Sequence, residues 1–140
     1  MGWLWRASDA LFPSVYLGVL PDQADNSTAA KNRVYVQQTV HEASRLAANA
    51  SVAPNKPMVM PVTWYLYDNY PRTPRWYYLT KADLHVQLHG AVAAGADGLL
   101  LWGAVDNATT TTVALQSYVD ATLGPEVELI CREYGCVTSK

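Results

Sequence analysis

The chain alternates between amphipathic segments and short, densely apolar ones. Segment 29–50 has apolar residues every three or four positions, which predicts one long helix whose buried stripe consists of Val36, Val40, Ala43, Leu46 and Ala47. Segment 80–94 predicts a second helix. It opens on Thr80 and Asp83, which form a capping box with Asp in place of Glu, and it is followed by Gly95 in the usual place of a helix-ending glycine.

Two further segments have apolar residues at helical spacing. Segment 3–11 predicts a short helix, which has to end before Pro13 because proline disfavours helical backbone in the residue that precedes it. Segment 109–123 predicts the last helix, and we expect Gly124 and Pro125 to close it.

Three short segments rich in apolar and β-branched residues predict strands: Ser14–Leu17, Met58–Tyr67 and Gly98–Trp102. The third is a continuous apolar run behind a turn-forming glycine. Such a run is typical of a strand that is buried on both faces in the middle of a parallel sheet.

These strands begin at intervals of about 40 residues, and a predicted helix follows each of them. The pattern predicts an α/β fold, a partial TIM-like (β/α) barrel of about three strand–helix units; a doubly wound sheet is the competing interpretation. A complete barrel needs about 200 residues or more. We therefore expect 1–125 to be the carboxyl-terminal part of a barrel domain, with the amino-terminal half missing and 126–140 as a tail.

The composition excludes several classes of protein. The chain has 140 residues, of which 50% are apolar and 16% charged, with a net charge of −2, so it should fold, and it has no basic cluster for nucleic acid. The sequence has no run of about 18 apolar residues, so it predicts no membrane span. Five Trp and nine Tyr stand against one Phe. That bias suits a surface that meets polar ligands, although a Tyr-rich core explains it equally well.

Several features indicate export. Three Asn-x-Ser/Thr triplets make Asn26, Asn49 and Asn107 candidate glycosylation sites, and the chain carries two cysteines, Cys131 and Cys136. The amino terminus has no charged and apolar signal segment. We therefore expect a fragment of a parent protein that is secreted, extracellular or lysosomal.

Polar and aromatic side chains cluster where the predicted strands end. Tyr16 ends the first strand, Tyr67 and Asp68 the second, and Trp102 the third. The carboxyl ends of barrel strands converge on the active site, so these side chains are candidates for it. Each also fits a structural role: Tyr16 at the rim of the core, Trp102 as a barrel plug, Asp68 as a loop acid or cap.

His85 and His89 are four residues apart on the second long helix, which is the spacing of a metal-binding pair. No Glu or third ligand accompanies them at motif spacing. We expect a solvated helix face, no metal and no cofactor.

The sequence resembles the hyaluronidases, the endo-glycosidases that cut hyaluronan and chondroitin. The resemblance runs from Trp3 to about Cys136 and rests on Trp3-Leu4-Trp5 with 10–16, on 79–84, on Gly95-Ala96-Asp97-Gly98, on Leu101-Trp102-Gly103 and on 118–125. It aligns with the carboxyl-terminal part of the family's barrel domain.

The resemblance implies a retaining glycoside hydrolase with substrate-assisted catalysis, in which the acetamido oxygen of the substrate attacks the anomeric carbon. In that family a Glu of an Asp-x-Glu motif is the general acid. No such motif occurs in this chain; Glu126-Val127-Glu128 is the nearest look-alike and falls in the predicted tail. The resemblance therefore implies that this fragment is inactive alone.

The resemblance also assigns roles to single residues. Tyr16 matches the tyrosine that positions and polarises the acetamido group, Trp102 the tryptophan that walls the sugar subsite, and Asp68, next to Tyr67, an acidic residue of the cleft. Thr112 stands where many relatives have a bridging cysteine. Cys131 and Cys136 match the first two cysteines of a carboxyl-terminal module whose partners lie further on, and mutual pairing is the alternative.

The resulting expectation is a hyaluronidase-type endo-glycosidase of glycosaminoglycans. One alternative is a non-catalytic carbohydrate-binding module or inactive truncated isoform that uses Trp64, Trp76, Tyr77, Tyr78 and Trp102. Another is a complete small glycosidase with Asp68 and Asp106 as paired acids.

Overall fold

The structure of the protein, a computed structural model, describes residues 2–50, 56–67, 77–103 and 109–136. Five α-helices lie within these residues: α1 (Gly2–Arg6), α2 (Thr28–Ala50), α3 (Lys81–Ala93), α4 (Thr109–Tyr118) and α5 (Gly124–Tyr134). Four short strands accompany them: β1 (Ala10–Leu11), β2 (Met58–Val59), β3 (Val62–Trp64) and β4 (Leu100–Trp102). None of the described helices combines the length and apolarity that a membrane crossing requires.

The strands form parallel pairs in chain order. β1 pairs with β2 through Ala10 opposite Met58, and β3 pairs with β4 through Trp64 opposite Trp102. The first ladder continues past β1, because Val62 donates its N–H to the carbonyl of Pro13 at 2.8 Å. Successive parallel strands joined by helices are typical of α/β proteins, which confirms the predicted mixture of helices and short parallel strands.

Helix α2 packs against α3. Val36, Val40, Ala43 and Ala47 are buried in the core as the sequence predicts, whereas Leu46 is only half-buried. The two helices approach closely at Gly90, where a Cβ atom would lie 3.4 Å from Cγ1 of Val36. The amphipathic stripe therefore accounts for α2 and its place in the fold.

Helix α3 begins at the predicted cap, with one difference. Thr80 is the N-cap; its hydroxyl accepts the N–H of Asp83 at 3.2 Å and donates to Oδ2 of Asp83 at 3.0 Å. The N–H of Thr80 goes instead to the phenolic oxygen of Tyr67 at 3.2 Å. Aspartate is one methylene shorter than the glutamate of a standard capping box, and Tyr67 fills that place. Gly95, with φ +91°, follows the helix as predicted.

The helix predicted over 3–11 is too long, and the first strand begins earlier than predicted. Helix α1 ends at Arg6, and β1 starts at Ala10. The carbonyls of Asp9 and Leu11 each accept a backbone N–H from the β2 segment at 2.9 Å. Sheet hydrogen bonds to a distant segment thus override the local helical pattern.

The prediction that segment 98–102 is buried on both faces is wrong. Leu100, Leu101 and Trp102 are all exposed, Trp102 by 44%. In the described part of the chain β4 pairs with β3 on one side only. The apolar run therefore marks a strand that borders the sheet in these residues.

The helix predicted to stop at Gly124 continues. A π-helical turn, Val119–Leu123, links α4 to α5, and Gly124 donates its N–H to the carbonyl of Val119. Pro125 then lies in the first turn of α5, a position in which helices tolerate proline. The segment predicted as a tail accordingly begins with a helix.

Candidate functional site

Three aromatic side chains meet at the carboxyl ends of the parallel strands. Trp64 ends β3, Trp102 ends β4, and these two residues are register partners. Tyr16 directly follows Val15, which donates its N–H to the carbonyl of Val62. Parallel pairing of neighbouring strands thus brings Tyr16, Trp64 and Trp102 together, and we call these residues the aromatic cluster.

The geometry of the aromatic cluster is that of a stacked pair with a tilted third ring. The rings of Trp64 and Trp102 lie 5.8 Å apart at 16°, and the ring of Tyr16 lies 5.8 Å from Trp64 and 6.5 Å from Trp102. Trp64 is buried, with 5% exposed, whereas Trp102 is 44% exposed. Trp64 therefore supports Trp102 from inside, and Trp102 presents aromatic surface to solvent.

A hydrogen bond fixes the polar end of the cluster. The indole Nε1–H of Trp102 donates to the hydroxyl oxygen of Tyr16. Since an indole nitrogen only donates, the phenol is the acceptor and keeps its own hydrogen for another partner. The cluster thus offers an apolar ring surface beside an O–H donor.

The chain around the cluster rests on a stack of tyrosines. The ring of Tyr78 lies 4.6 Å from that of Tyr118 and 6.2 Å from that of Tyr65. Burial raises the pKa of Tyr118, whose hydroxyl donates to the carbonyl of Leu79 at 3.0 Å. A Cβ atom at Gly103, next to Trp102, would lie only 2.2 Å from Cε1 of Tyr65. Only glycine lets the backbone pass this ring closely.

Of the four predicted strand-end residues, the structure brings Tyr16 and Trp102 together. Tyr67 is 2% exposed and donates its hydroxyl hydrogen to Oδ2 of Asp83 at 2.5 Å. Burial and that hydrogen bond both raise the pKa of Tyr67. Asp68 lies outside the described residues, as do Asp106 and Trp76 of the alternatives. The substrate contacts of Tyr67 and Asp68 stay predictions.

Trp64 is the residue that the main sequence interpretation missed. Its signal was its place near the end of the second strand, the same place that Trp102 has in the third. The predicted strand ran on to Tyr67, three residues too far, and so hid this equivalence.

Comparison with known proteins identifies the family of this chain. A family model described as hyaluronidase matches residues 1–135. The chain belongs to the hyaluronidase family. Hyaluronidase-1 of Sus scrofa is 35% identical over 97% of this chain and 30% of its own length, and the hyaluronidase of Apis mellifera is 35% identical over 93% and 31%. The chain thus spans about a third of the length of these curated relatives.

Solved hyaluronidase structures share the fold. A monoclinic crystal structure of bee venom hyaluronidase superposes with a TM-score of 0.75 and 32% identity, over 91% of this chain and 37% of that one. The same enzyme in complex with a hyaluronic acid tetramer gives a TM-score of 0.74 and 32% identity, over 91% and 36%.

The structure describes both cysteines and two of the three candidate glycosylation sites of this hyaluronidase-family chain. Cys131 and Cys136 form a disulfide, with an S–S distance of 2.06 Å, so the structure shows the mutual pairing. Asn26 and Asn49 are exposed, before α2 and in its last turn, and Asn107 lies outside the described residues. Their glycosylation stays a prediction.

The two histidines of α3 do not share a solvated face, and that expectation is wrong for one of them. His85 is exposed, but His89 is buried, with 8% exposed. Glu126 of α5 lies beside both rings. The sequence offered no third ligand because Glu126 is distant in the chain and arrives through packing of α5 on α3.

Proposed function

We propose that this chain is part of a hyaluronidase-type endo-glycosidase and supplies one wall of its sugar-binding cleft. In this proposal the described strands are about three units of a partial (β/α) barrel. The observation that carries the proposal is the aromatic cluster, which lies at the carboxyl ends of the parallel strands, where barrel enzymes hold their substrates.

Each member of the cluster has a role in sugar binding. The exposed indole of Trp102 packs on the apolar face of a sugar ring, with Trp64 behind it. The hydroxyl of Tyr16 donates its hydrogen to the acetamido oxygen of the substrate, since it already accepts from Trp102. In a retaining, substrate-assisted mechanism this bond orients the oxygen that attacks the anomeric carbon.

The substrate class in this proposal is a glycosaminoglycan, hyaluronan or chondroitin. The crystal structure of bee venom hyaluronidase in complex with a hyaluronic acid tetramer supports it, because that structure shares the fold of this chain. The candidate glycosylation sites and the disulfide support a secreted or lysosomal setting.

The general acid of this proposal lies outside the present sequence, which has no Asp-x-Glu motif. Glu126 of the look-alike motif is 1% exposed and lies against His85 on α3. General acid catalysis contributes about 10² to 10⁴-fold to such reactions. We therefore expect the 140-residue chain to bind the sugar without hydrolysing it.

Calorimetric titration with hyaluronan tetrasaccharide tests the binding role. We expect wild type to bind and Trp102→Ala to lose about 2- to 10-fold in affinity, since an aromatic stacking contact contributes about 0.5–1.5 kcal/mol. Trp3→Ala, an exposed tryptophan on α1, is the matched control and should bind like wild type. Equal binding by Trp102→Ala and wild type would refute the cleft wall.

A reducing-end assay on polymeric hyaluronan tests the missing acid. We expect no release of reducing ends above the buffer rate by the purified chain. Hydrolysis that tracks with the chain through purification would show that the proton donor lies within these 140 residues.

A further inference from the structure

We propose that His85 and His89 of α3 and Glu126 of α5 form a Zn²⁺ site that clamps the two helices together. This cluster is separate from the aromatic cluster, and the proposed glycosidase activity does not use it. One ring nitrogen of each histidine and one carboxylate oxygen of Glu126 all lie within 4.8 Å of one another.

The three ligands converge from two elements. His85 and His89 are one helical turn apart, and their rings stack with centroids 3.9 Å apart. Glu126 lies in the first turn of α5, with Oε1 at 2.5 Å from Nδ1 of His85 and 3.6 Å from Nε2 of His89. Zinc–ligand bonds of about 2.1 Å place tetrahedral ligand atoms about 3.4 Å apart. Changes of about 1–1.5 Å in these separations would therefore convert this cluster into a coordination shell.

The burial of His89 is a second observation that supports the Zn²⁺ site. Nε2 of His89 is a buried nitrogen with no hydrogen-bond partner. A buried nitrogen without a hydrogen bond lowers the stability of the fold. A metal ion on this side of the ring would be bound by the lone pair of Nε2. The Glu126 side chain, 2% exposed, faces the same point, so the polar atoms of two buried residues turn toward a common centre.

A further carboxylate lies behind the cluster. Oε2 of Glu133, also on α5, is 3.5 Å from Nδ1 of His89. A carboxylate on the far ring nitrogen is the usual partner of a zinc-binding histidine, because it fixes the tautomer that leaves Nε2 free to bind. Helix α5 thus provides both a ligand and the group that orients another ligand.

The donor set favours Zn²⁺ over the hard cations Ca²⁺ and Mg²⁺. Two imidazoles and one carboxylate suit Zn²⁺, whereas Ca²⁺ and Mg²⁺ prefer shells made of oxygen. The side chain of His85 is 48% exposed, so the fourth position of a tetrahedral ion faces solvent and takes a water molecule.

Titration of the chain with ZnCl₂, kept non-reducing so that the disulfide stays closed, tests the proposal. We expect a stoichiometry of one, and a rise in Tm of about 5–10 °C at a Zn²⁺ concentration 100 times the Kd. Co²⁺ in place of Zn²⁺ should give the visible absorption bands of a tetrahedral site.

The variants His85→Gln and Glu126→Gln each remove one ligand and keep the side chain polar. We expect either to lower Zn²⁺ affinity at least about tenfold and to abolish the Co²⁺ bands, with an unchanged circular dichroism spectrum. His41→Gln, on the exposed face of α2, is the matched control and should bind like wild type. Affinity that is equal in wild type and His85→Gln, or that falls as much in His41→Gln, would overturn the site and leave an ordinary histidine–carboxylate cluster.

Discussion

The phenolic oxygen of Tyr67 lies 2.5 Å from Oδ2 of Asp83 and also accepts the backbone N–H of Thr80. One side chain, three residues past the end of β3, thus completes the amino-terminal cap of α3. We expect Tyr67→Phe to lower the free energy of unfolding by about 1–3 kcal/mol, because it leaves the backbone N–H of Thr80 without its acceptor and removes one of the hydrogen bonds to the carboxylate of Asp83. Urea denaturation measures this change.

Tyr77→Phe is the control for that experiment, since Tyr77 is exposed, and it should change the free energy of unfolding by less than about 0.5 kcal/mol. Wild-type stability of Tyr67→Phe together with weaker binding of hyaluronan tetrasaccharide would contradict the capping role and assign Tyr67 the predicted substrate contact.

Gly103 and Gly98 flank β4 and should respond differently to alanine. A Cβ atom at Gly103 would overlap the ring of Tyr65 at 2.2 Å, whereas one at Gly98 would lie 3.5 Å from the flexible end of Met60. We expect Gly103→Ala to cost about 1–3 kcal/mol of stability and Gly98→Ala much less. Thermal unfolding of both variants gives the comparison, and equal Tm values would show that Tyr65 yields freely.

Asp25 should make the stability of the chain depend on pH in the acid range. Hydrogen bonds from the side chain and backbone of Ser27, and from the Thr28 side chain, lower the pKa of Asp25 to about 2. Its pKa in the unfolded chain is about 3.9, so the unfolded state takes up the proton first as the pH falls. The stabilisation is complete above about pH 4 and is lost as the pH falls through 2.

The variant Asp25→Ala measures that contribution. We expect its Tm to lie below that of wild type at pH 6, and the gap to close between pH 4 and pH 2. A gap that stays constant over this interval would mean that the bonds to Ser27 do not favour the charged carboxylate.

The disulfide between Cys131 and Cys136 closes a short loop that runs from the last turn of α5 to just beyond the helix. The loss of loop entropy in the unfolded chain predicts about 2 kcal/mol of stabilisation for a loop of this length. Reduction should lower the Tm accordingly. A mass measurement under non-reducing conditions that finds two free thiols would refute the pairing itself.

The sequence predicted the elements whose signals are local. Helix α2 follows its apolar stripe, and α3 follows the Thr80 cap and Gly95, each to within about a residue of the predicted limits. The strand ends were less accurate because they depend on pairing partners far along the chain. β1 begins at Ala10 since its ladder with Met58 starts there.

The residues of the candidate site also differ in how far the local sequence predicts them. Tyr16 and Trp102 were predicted from their places at strand ends, and their segments flank β3 on either side in parallel orientation. The burial of His89 could not be predicted, because Gly124 and Pro125 suggested a helix end where α5 in fact begins and carries Glu126 to α3.

The central claim is that the exposed indole of Trp102 binds a sugar ring beside Tyr16. The most direct test is a ¹⁵N–¹H spectrum of the tryptophan indoles during titration with hyaluronan tetrasaccharide, with Trp102 assigned through its loss in Trp102→Phe. We predict that the Trp102 Nε1–H signal shifts with saturation while the signal of Trp3 stays in place. An unmoved Trp102 signal at a tetrasaccharide concentration that saturates binding would contradict the account.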